Sequence, residues 1–520
     1  MQFQSVLLAL FPAALATTPR PWPTYTFQTT NVTIPFLNTT KTGPTTSGLI
    51  FIAPSTEIDG SPAIYTDDGD LVWHGPEGKT YAYQPQTLHN EPVLTFWQGH
   101  NVKGFGYGHI SILNASYDEI HRVTLPATQG EPFITNVDEK LPSFIDIHES
   151  AITEDNTILV TAVNNTQTDL SAVGGPKDGW VQDGLVYEID IATNEVLFKW
   201  SAVEHKVQLP LGYLEYPLGE TGRNSTMPYQ YPHLNSIAKY GDHYLVSSRY
   251  MCVIFLLDRK GDVVWVFHGQ QGGTYTLPSD PGARFCYQHD PRIHQHTNRG
   301  TPHERITLSL HNNDNTESTL PRQLTTVLKF DLFPYNKTST LLSRDYDHKN
   351  PVSAVSQGSY QSLSSDGNGH YLAGHGAVPK IEEFDEAGNV VMRGWFGAKT
   401  GNSSTATYDW TSYRAYRAEW TGKPRTLPSV KACVEKSGGD KGLVQVYVSW
   451  NGATDVEEWR IWGGSRTARR SLRPLDSVKK RGFETRAVVE FASGEDSVVV
   501  EAIGGVGDGT RSKIVKVESC

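Results

Sequence analysis

Apolar and polar residues alternate along most of this chain with a period of two. That spacing turns one face of a strand to a core and the other to water. The alternation comes in pairs of runs around a short polar turn. Ala63 to Tyr65 leads through Asp68 and Gly69 to Leu71, Val72 and Trp73. The same pairing joins 110–113 to 120–123 through Asn114, 186–190 to 196–200 through Asn194, and 254–258 to 263–265 through Gly261. It returns from 327–331 to 341–342 through Asn336, and from 381–385 to 390–395 through Gly388. Each pair reads as a hairpin whose turn supplies Gly or Asn where a positive φ is needed. Further strand-like runs lie between the pairs, such as 157–161 and 243–247.

Recurrence every ~45–80 residues suits propeller blades with inserted loops. Six copies predict an all-β, six-bladed β-propeller over residues 45–425, with the innermost strand ends gathered at one mouth of a central channel. Two stacked β-sandwiches are the alternative, and the regularity of the hairpins argues against them. After Thr421, Gly422, Lys423 and Pro424 the rhythm changes. Residues 427–520 give short alternating strands, as in a small β-sandwich of immunoglobulin or fibronectin type III kind.

Composition changes the picture mainly at the start of the chain. The apolar run Val6 to Ala14 is too short to span a bilayer, and Ala14, Leu15 and Ala16 form a small-x-small cleavage site. Residues 1–16 are therefore expected to be a secretory signal peptide, followed by an extended Thr- and Pro-rich segment over 17–44. No later stretch reads as a membrane span, so the expectation is a secreted, extracellular protein. Glycosylation sequons begin at Asn31, Asn38, Asn114, Asn164, Asn224, Asn336 and Asn402. Four cysteines in an oxidising compartment allow three pairings. The preferred one keeps a bridge within each region, Cys252 with Cys286 and Cys433 with Cys520. The net charge of −11 without clustered Lys or Arg gives no nucleic-acid surface.

Candidate chemistry lies in three histidine segments and one arginine. His148 follows Asp146 and precedes Glu149, His233 stands two residues before Asn235, Arg249 ends a strand-like run, and His289 sits between Gln288 and Asp290. Each histidine has a neighbour able to fix its ring tautomer. His294, His296, His311 and His375 read as polar surface or hydrogen-bonded residues. His289, His294 and His296 include a His-x-His that alternation would place on one strand face. No carboxylate stands at a clear third-ligand spacing, so no metal site is expected.

These motifs, in this order, resemble the arylsulfotransferase family, in particular its secreted fungal branch. The resemblance runs over most of 45–425. It is carried by Leu49 to Pro54 with Gly69 to Trp73, Leu94 to Gly99 with Gly104 to Gly108, Asp146 to Glu149, His233 to Ser236, Ser248 and Arg249, Gln288 to Asp290, Tyr413 and Arg414, and Trp420 to Gly422. It implies transfer of a sulfuryl group from an aryl sulfate to a phenol without a nucleotide donor and without a cofactor. The absence of a Gly-x-x-x-x-Gly-Lys-Ser/Thr loop agrees with this. By motif match His289 is the nucleophile, forming a sulfohistidine. Arg249, His148 and His233 would hold the sulfuryl oxygens, and one of the histidines would protonate the leaving phenolate. Asn235 is expected to orient His233, and Asp146 or Glu149 to orient His148. His311 stands where relatives usually carry Phe, and His375 where an aromatic residue is common, which puts the shape of the acceptor pocket in question. A secreted propeller that binds an anionic aromatic or glycan ligand without turnover is the second function class.

Overall fold

A computed structural model describes residues 21–520 apart from 128–131, 138–139, 366, 401–406, 435–442 and 466–471. The expected signal peptide and the sequon at Asn402 lie outside the described residues. The described chain is all-β with a few single 3-10 turns and no α-helix.

Residues up to 418 build six four-stranded antiparallel meanders. The first takes strands Leu49–Ile52, Ala63–Tyr65 and Leu71–His74, and borrows Ala415–Ala418 from the far end of this region. The second holds Tyr81–Leu88, Glu91–Val102, Phe105–Leu113 and Glu119–Val123. The third holds Ile145–Ile152, Thr157–Thr168, Gly179–Asp190 and Val196–Ser201, and is joined to the second by a bridge at Gly108 and Ile145. The fourth holds Leu234–Tyr240, His243–Ser248, Val253–Leu257 and Val263–His268. The fifth holds His289–Thr297, Arg305–Asn312, Thr326–Phe333 and Thr338–Asp345. The sixth holds Ser359–Ser362, Tyr371–Gly374, Lys380–Phe384 and Val390–Trp395, with Asn38–Lys41 added at its edge.

All six hairpins expected from the alternation form, each as the last two strands of a meander. Their turns differ in chemistry. Gly69, Gly261, Gly388 and Asn194 take positive φ, whereas in two turns that conformation falls on Tyr117 and Lys337 instead of Asn114 and Asn336. There the Asn side chains cap the turn, Asn114 accepting from Ser116 and Asp118 and Asn336 from Thr338.

The first strand of each meander touches the first strand of the next, and the sixth returns to Ala415–Ala418 of the first. Apolar faces pack between successive meanders. Leu159 and Val186 of the third meet Val246 and Phe255 of the fourth, and Leu245 and Phe267 of the fourth meet Leu308 and Phe330 of the fifth. Burying each such side chain contributes about 1.5–3 kcal/mol.

Beyond residue 427 lie two more four-stranded sheets. One is ordered Glu484–Glu490, Leu443–Ser449, Ser429–Val434, Glu518–Ser519, and the other Arg473–Lys479, Glu458–Gly464, Ser497–Ile503, Val515–Lys516. They share one core containing Val446, Trp459, Ile461 and Val500. Strand Arg473–Lys479 was not expected. It is mostly exposed and carries three charged residues, so its sequence shows no apolar alternation. Both disulfides form as expected, with Cα–Cα separations of 4.3 Å for Cys252–Cys286 and 5.1 Å for Cys433–Cys520. The first ties the fourth meander to the approach of the fifth.

Candidate active site

One rule of the topology gathers the polar residues. In meanders three, four and five, the first strand begins with chemistry. His148 lies near the start of Ile145–Ile152, His233 and Asn235 flank the start of Leu234–Tyr240, and His289 opens His289–Thr297. Gln357 just precedes Ser359–Ser362, and Tyr413 and Arg414 precede Ala415–Ala418. Antiparallel second strands return to the same end, bringing Arg249 after His243–Ser248 and Asn313 after Arg305–Asn312.

All four expected site residues are buried and come together. The rings of His148 and His233 lie 5.1 Å apart, edge to face. Tyr413 stands between strands, 5.7 Å from the His148 ring and 6.2 Å from that of His289. The Arg249 backbone donates to the His233 carbonyl at 2.9 Å. Arg249 and His289 are bridged by one segment. Arg249 Nη2 donates to the Val355 carbonyl at 2.8 Å, and the Gln357 amide donates to His289 Nε2 at 3.1 Å.

The tautomer of His289 follows from its neighbours. Asn313 Nδ2 donates to the Gln357 carbonyl at 2.9 Å, which fixes the amide and leaves Oδ1 facing His289. That oxygen only accepts, so His289 Nδ1, 2.7 Å away, carries the proton and Nε2 carries the lone pair. Burial, aided by the Arg249 charge, holds the pKa of His289 well below the ordinary histidine value. Burial, with His148, Arg249 and His289 beside it, does the same for His233. The site therefore presents a neutral imidazole lone pair beside a permanent guanidinium, the arrangement needed to attack an anionic centre.

Of the supporting roles, that for His148 goes to one of its two expected partners, and that for His233 differs from expectation. Asp146, not Glu149, bonds His148 through Nδ1. Asp146 and His148 are two residues apart and share a strand face, while Glu149 points the opposite way. There it is fully buried, with Arg414 Nη1 at 2.7 Å and Arg292 Nη2 at 3.1 Å. Burial pushes the Glu149 carboxyl up, but Arg414 and Arg292 outweigh it and hold its pKa at about 2. Asn235 does not bond His233. Its Nδ2 donates to the Gln288 carbonyl at 2.7 Å, and Gln230 is the side chain beside His233 Nδ1, at 3.2 Å.

Sequence reasoning missed Asn313, Gln357 and Tyr413 as site residues. Tyr413 was visible only as part of a motif, and its buried hydroxyl has no partner. His294 bonds Ser309 and His296 bonds Glu304, away from His289. His311 and His375, read as polar or hydrogen-bonded, are fully buried and bonded to each other at 3.2 Å, and His375 continues to Glu382 at 2.8 Å. Among the described residues no cluster of three metal-ligating groups occurs.

These buried histidines carry a pH consequence. Burial lowers the pKa of His268 and His294 to about 4 and of His311 to about 3, and lowers those of His233 and His289 as well. An unfolded histidine titrates near 6.5. Below that pH the unfolded chain takes up protons that the folded chain refuses, so stability present above pH 6.5 is lost as pH falls. Asp183 and Asp314, raised by burial to about 7 and about 6, oppose the trend but are fewer. Thermal melts at pH 7.5, 6 and 5 should show a falling midpoint; a flat or rising one would contradict the burial of neutral histidines.

Comparison with known proteins adds a family match. The model described as Arylsulfotransferase (ASST) matches residues 84–397, three-fifths of the chain. No curated protein matches significantly. Among solved structures, a putative 6-phosphogluconolactonase from Bacteroides fragilis is 12% identical, covering 84% of this chain and 98% of that one, with a TM-score of 0.25. The WD40 domain of SCAP from fission yeast is 7% identical, covering 70% and 82%, with a TM-score of 0.25. The Nup133 β-propeller domain of Vanderwaltozyma polyspora is 10% identical, covering 84% and 100%, with a TM-score of 0.23.

Proposed function

The chain belongs to the arylsulfotransferase (ASST) family, and from that premise we propose that it moves a sulfuryl group from an aryl sulfate to a phenol through a sulfohistidine at His289. The observation that carries this reading is the fixed tautomer of His289, with its Nε2 lone pair on the same mouth as Arg249, His148 and His233. In the first half-reaction Nε2 attacks sulfur and the bond from sulfur to the aryl oxygen breaks. Arg249 and the Gln357 amide hold the sulfuryl oxygens, the amide turning to them from Nε2. His148, kept in register by Asp146, gives the departing phenolate its proton, while His233, held neutral, serves as a hydrogen-bonding neighbour. In the second half-reaction an incoming phenol returns that proton as its oxygen bonds to sulfur, the Nε2–sulfur bond breaks, and the lone pair returns to Nε2. No cofactor or metal enters the scheme.

The fold reading that goes with it is a six-bladed propeller over 45–425, supported by the cyclic contacts of the first strands, followed by a β-sandwich over 427–520. Secretion is supported by the two disulfides and by exposed sequon residues Asn31, Asn38, Asn224 and Asn336. No helix among the described residues is long and apolar enough to cross a membrane.

One observation favours the second reading, an anion-binding module. Nε2 of His289 and Nη2 of Arg249 are both already bonded to segment 355–357. Incubation with 4-nitrophenyl sulfate decides between the two. A transferase releases 4-nitrophenol faster when a phenol is added, with ping-pong kinetics. Binding of aryl sulfates without release across a broad panel makes the binding module the better reading.

A further inference from the structure

The four site residues are closed off from water. None of His148, His233, Arg249 and His289 is more than 5% exposed, so no ester reaches the His289 lone pair until a side chain over them moves. Among the described residues three phenylalanine or tyrosine rings pack against them. Phe105 lies 4.5 Å from the His233 ring and Tyr413 lies 5.7 Å from that of His148, and both are buried. Tyr250 is the third. Its ring stands 4.6 Å from His233, edge to face, and 4.9 Å from the Arg249 guanidinium, whose Nη1 donates to the Tyr250 hydroxyl at 3.0 Å.

Tyr250 differs from the other two in what covers it. The half-buried Tyr216 lies flat on its ring, with centroids 4.3 Å apart and planes 17° apart, the way a planar aromatic ligand stacks on tyrosine. Tyr216 belongs to residues 202–228, an insertion between strands Val196–Ser201 and Tyr229–Tyr231 that holds only two 3-10 turns, Val203–His205 and Leu211–Tyr213. Leu209 and Leu211 anchor this insertion in the core. Its tip is tied through the backbone. The Glu215 amide donates to the Tyr250 carbonyl at 2.8 Å, the Tyr287 hydroxyl donates to the Glu215 carbonyl at 3.2 Å, and the Tyr229 hydroxyl donates to the Tyr216 carbonyl at 2.5 Å. None of these bonds uses the Tyr216 ring. The ring can therefore turn out to solvent about its own torsions while the backbone stays in place.

We propose that the face of Tyr250 under Tyr216 is the platform for the aryl ring of the substrate, and that Tyr216 holds this place until the substrate displaces it. A ring there lies one stacking distance from Tyr250, whose own ring adjoins both Arg249 and His233. Tyr250 then selects an aromatic over an aliphatic sulfate, and Tyr216 competes with every aryl ligand, lowering its apparent affinity by the fraction of molecules in which the ring is out. The inference rests on the arylsulfotransferase reading for the class of ligand, and adds to it the residues that select the ring.

Calorimetric titration of the full-length protein with naphthalene-2-sulfonate, beside methanesulfonate, tests it. The sulfur of both probes is bonded to carbon, so no group is transferred and binding is read without turnover. Tyr216→Ala should tighten naphthalene-2-sulfonate about fivefold, the size of one stacked aromatic pair, and leave methanesulfonate no tighter. Tyr216→Phe keeps the stacked ring and should bind as the wild type does. In a Tyr250→Leu background Tyr216→Ala should tighten neither probe. Equal tightening of both probes would make Tyr216 a plain cover and overturn the proposal, as would unchanged or weaker binding of naphthalene-2-sulfonate in Tyr216→Ala. Either result, in protein that releases 4-nitrophenol from 4-nitrophenyl sulfate, sinks this inference alone. The expected binding pattern without any release sinks sulfuryl transfer and leaves the platform standing. No binding and no release in any variant sinks both.

Discussion

His289→Asn should abolish turnover of an aryl sulfate while leaving its binding largely intact. The variant keeps a polar group at the mouth but has no nitrogen lone pair to attack sulfur. A nucleophile's removal lowers kcat by at least about three orders of magnitude. Donor affinity should change little, because in the proposed scheme Arg249 and the Gln357 amide still hold the sulfuryl oxygens. Arg249→Lys is the companion test. Lysine keeps the charge but loses the planar fork, and one guanidinium nitrogen here is already spent on the Val355 carbonyl, so a large loss of rate is expected even so. Mass spectrometry of wild-type protein mixed with donor alone, digested near neutral or alkaline pH, should find a sulfuryl adduct on a peptide containing His289. Turnover with a ternary-complex rate law and no adduct would replace the covalent route with direct transfer.

Glu149→Gln should be the most damaging single change outside the reacting groups. Glu149 is fully buried and sits between Arg414 and Arg292, with Ser150, Ser236 and Ile237 also donating to it. Removing its charge leaves two guanidinium groups facing one another with Asp290 as the remaining carboxylate, 2.8 Å from Arg292 and 3.9 Å from Arg414. Breaking a buried pair in this way costs about 3–5 kcal/mol. Thermal melts should show a midpoint lowered by several degrees, or little folded protein at all. Below pH 4.5 the difference between variant and wild type should shrink, since the depressed pKa of Glu149 gives stability that is lost as the carboxylate protonates between about 4.5 and 2. An unchanged midpoint at neutral pH would show that the cluster is not holding the strands.

What the sequence made legible follows from how each signal is written. Hairpins were readable because alternation and turn residues are local, and all six formed. The convergence of His148, His233, Arg249 and His289 was readable through motif order. Partner assignment was not. Glu149 adjoins His148 and Asp146 lies two residues before it, and only strand alternation, which puts i and i+2 on one face, picks Asp146. Asn235 lies two residues from His233, yet its amide reaches a carbonyl of the next meander. Asn313 and Gln357 act on His289 from 24 and 68 residues away. Such distances carry no local pattern, and the Gln357 contribution is a backbone amide that no side-chain identity announces.

The pairing of Glu149 with Arg414 across 265 residues also fixes an order of events during synthesis. At ~5–20 residues per second, the carboxylate leaves the ribosome roughly 15–50 s before its guanidinium partner. Until then the first-strand ends cannot be buried without stranding a charge, and the strand Ala415–Ala418 that completes the first meander is also missing. The early meanders must therefore wait, hydrated and unclosed, in the growing chain. The histidine mouth is assembled in one late step, so truncated products carry its residues but not the site.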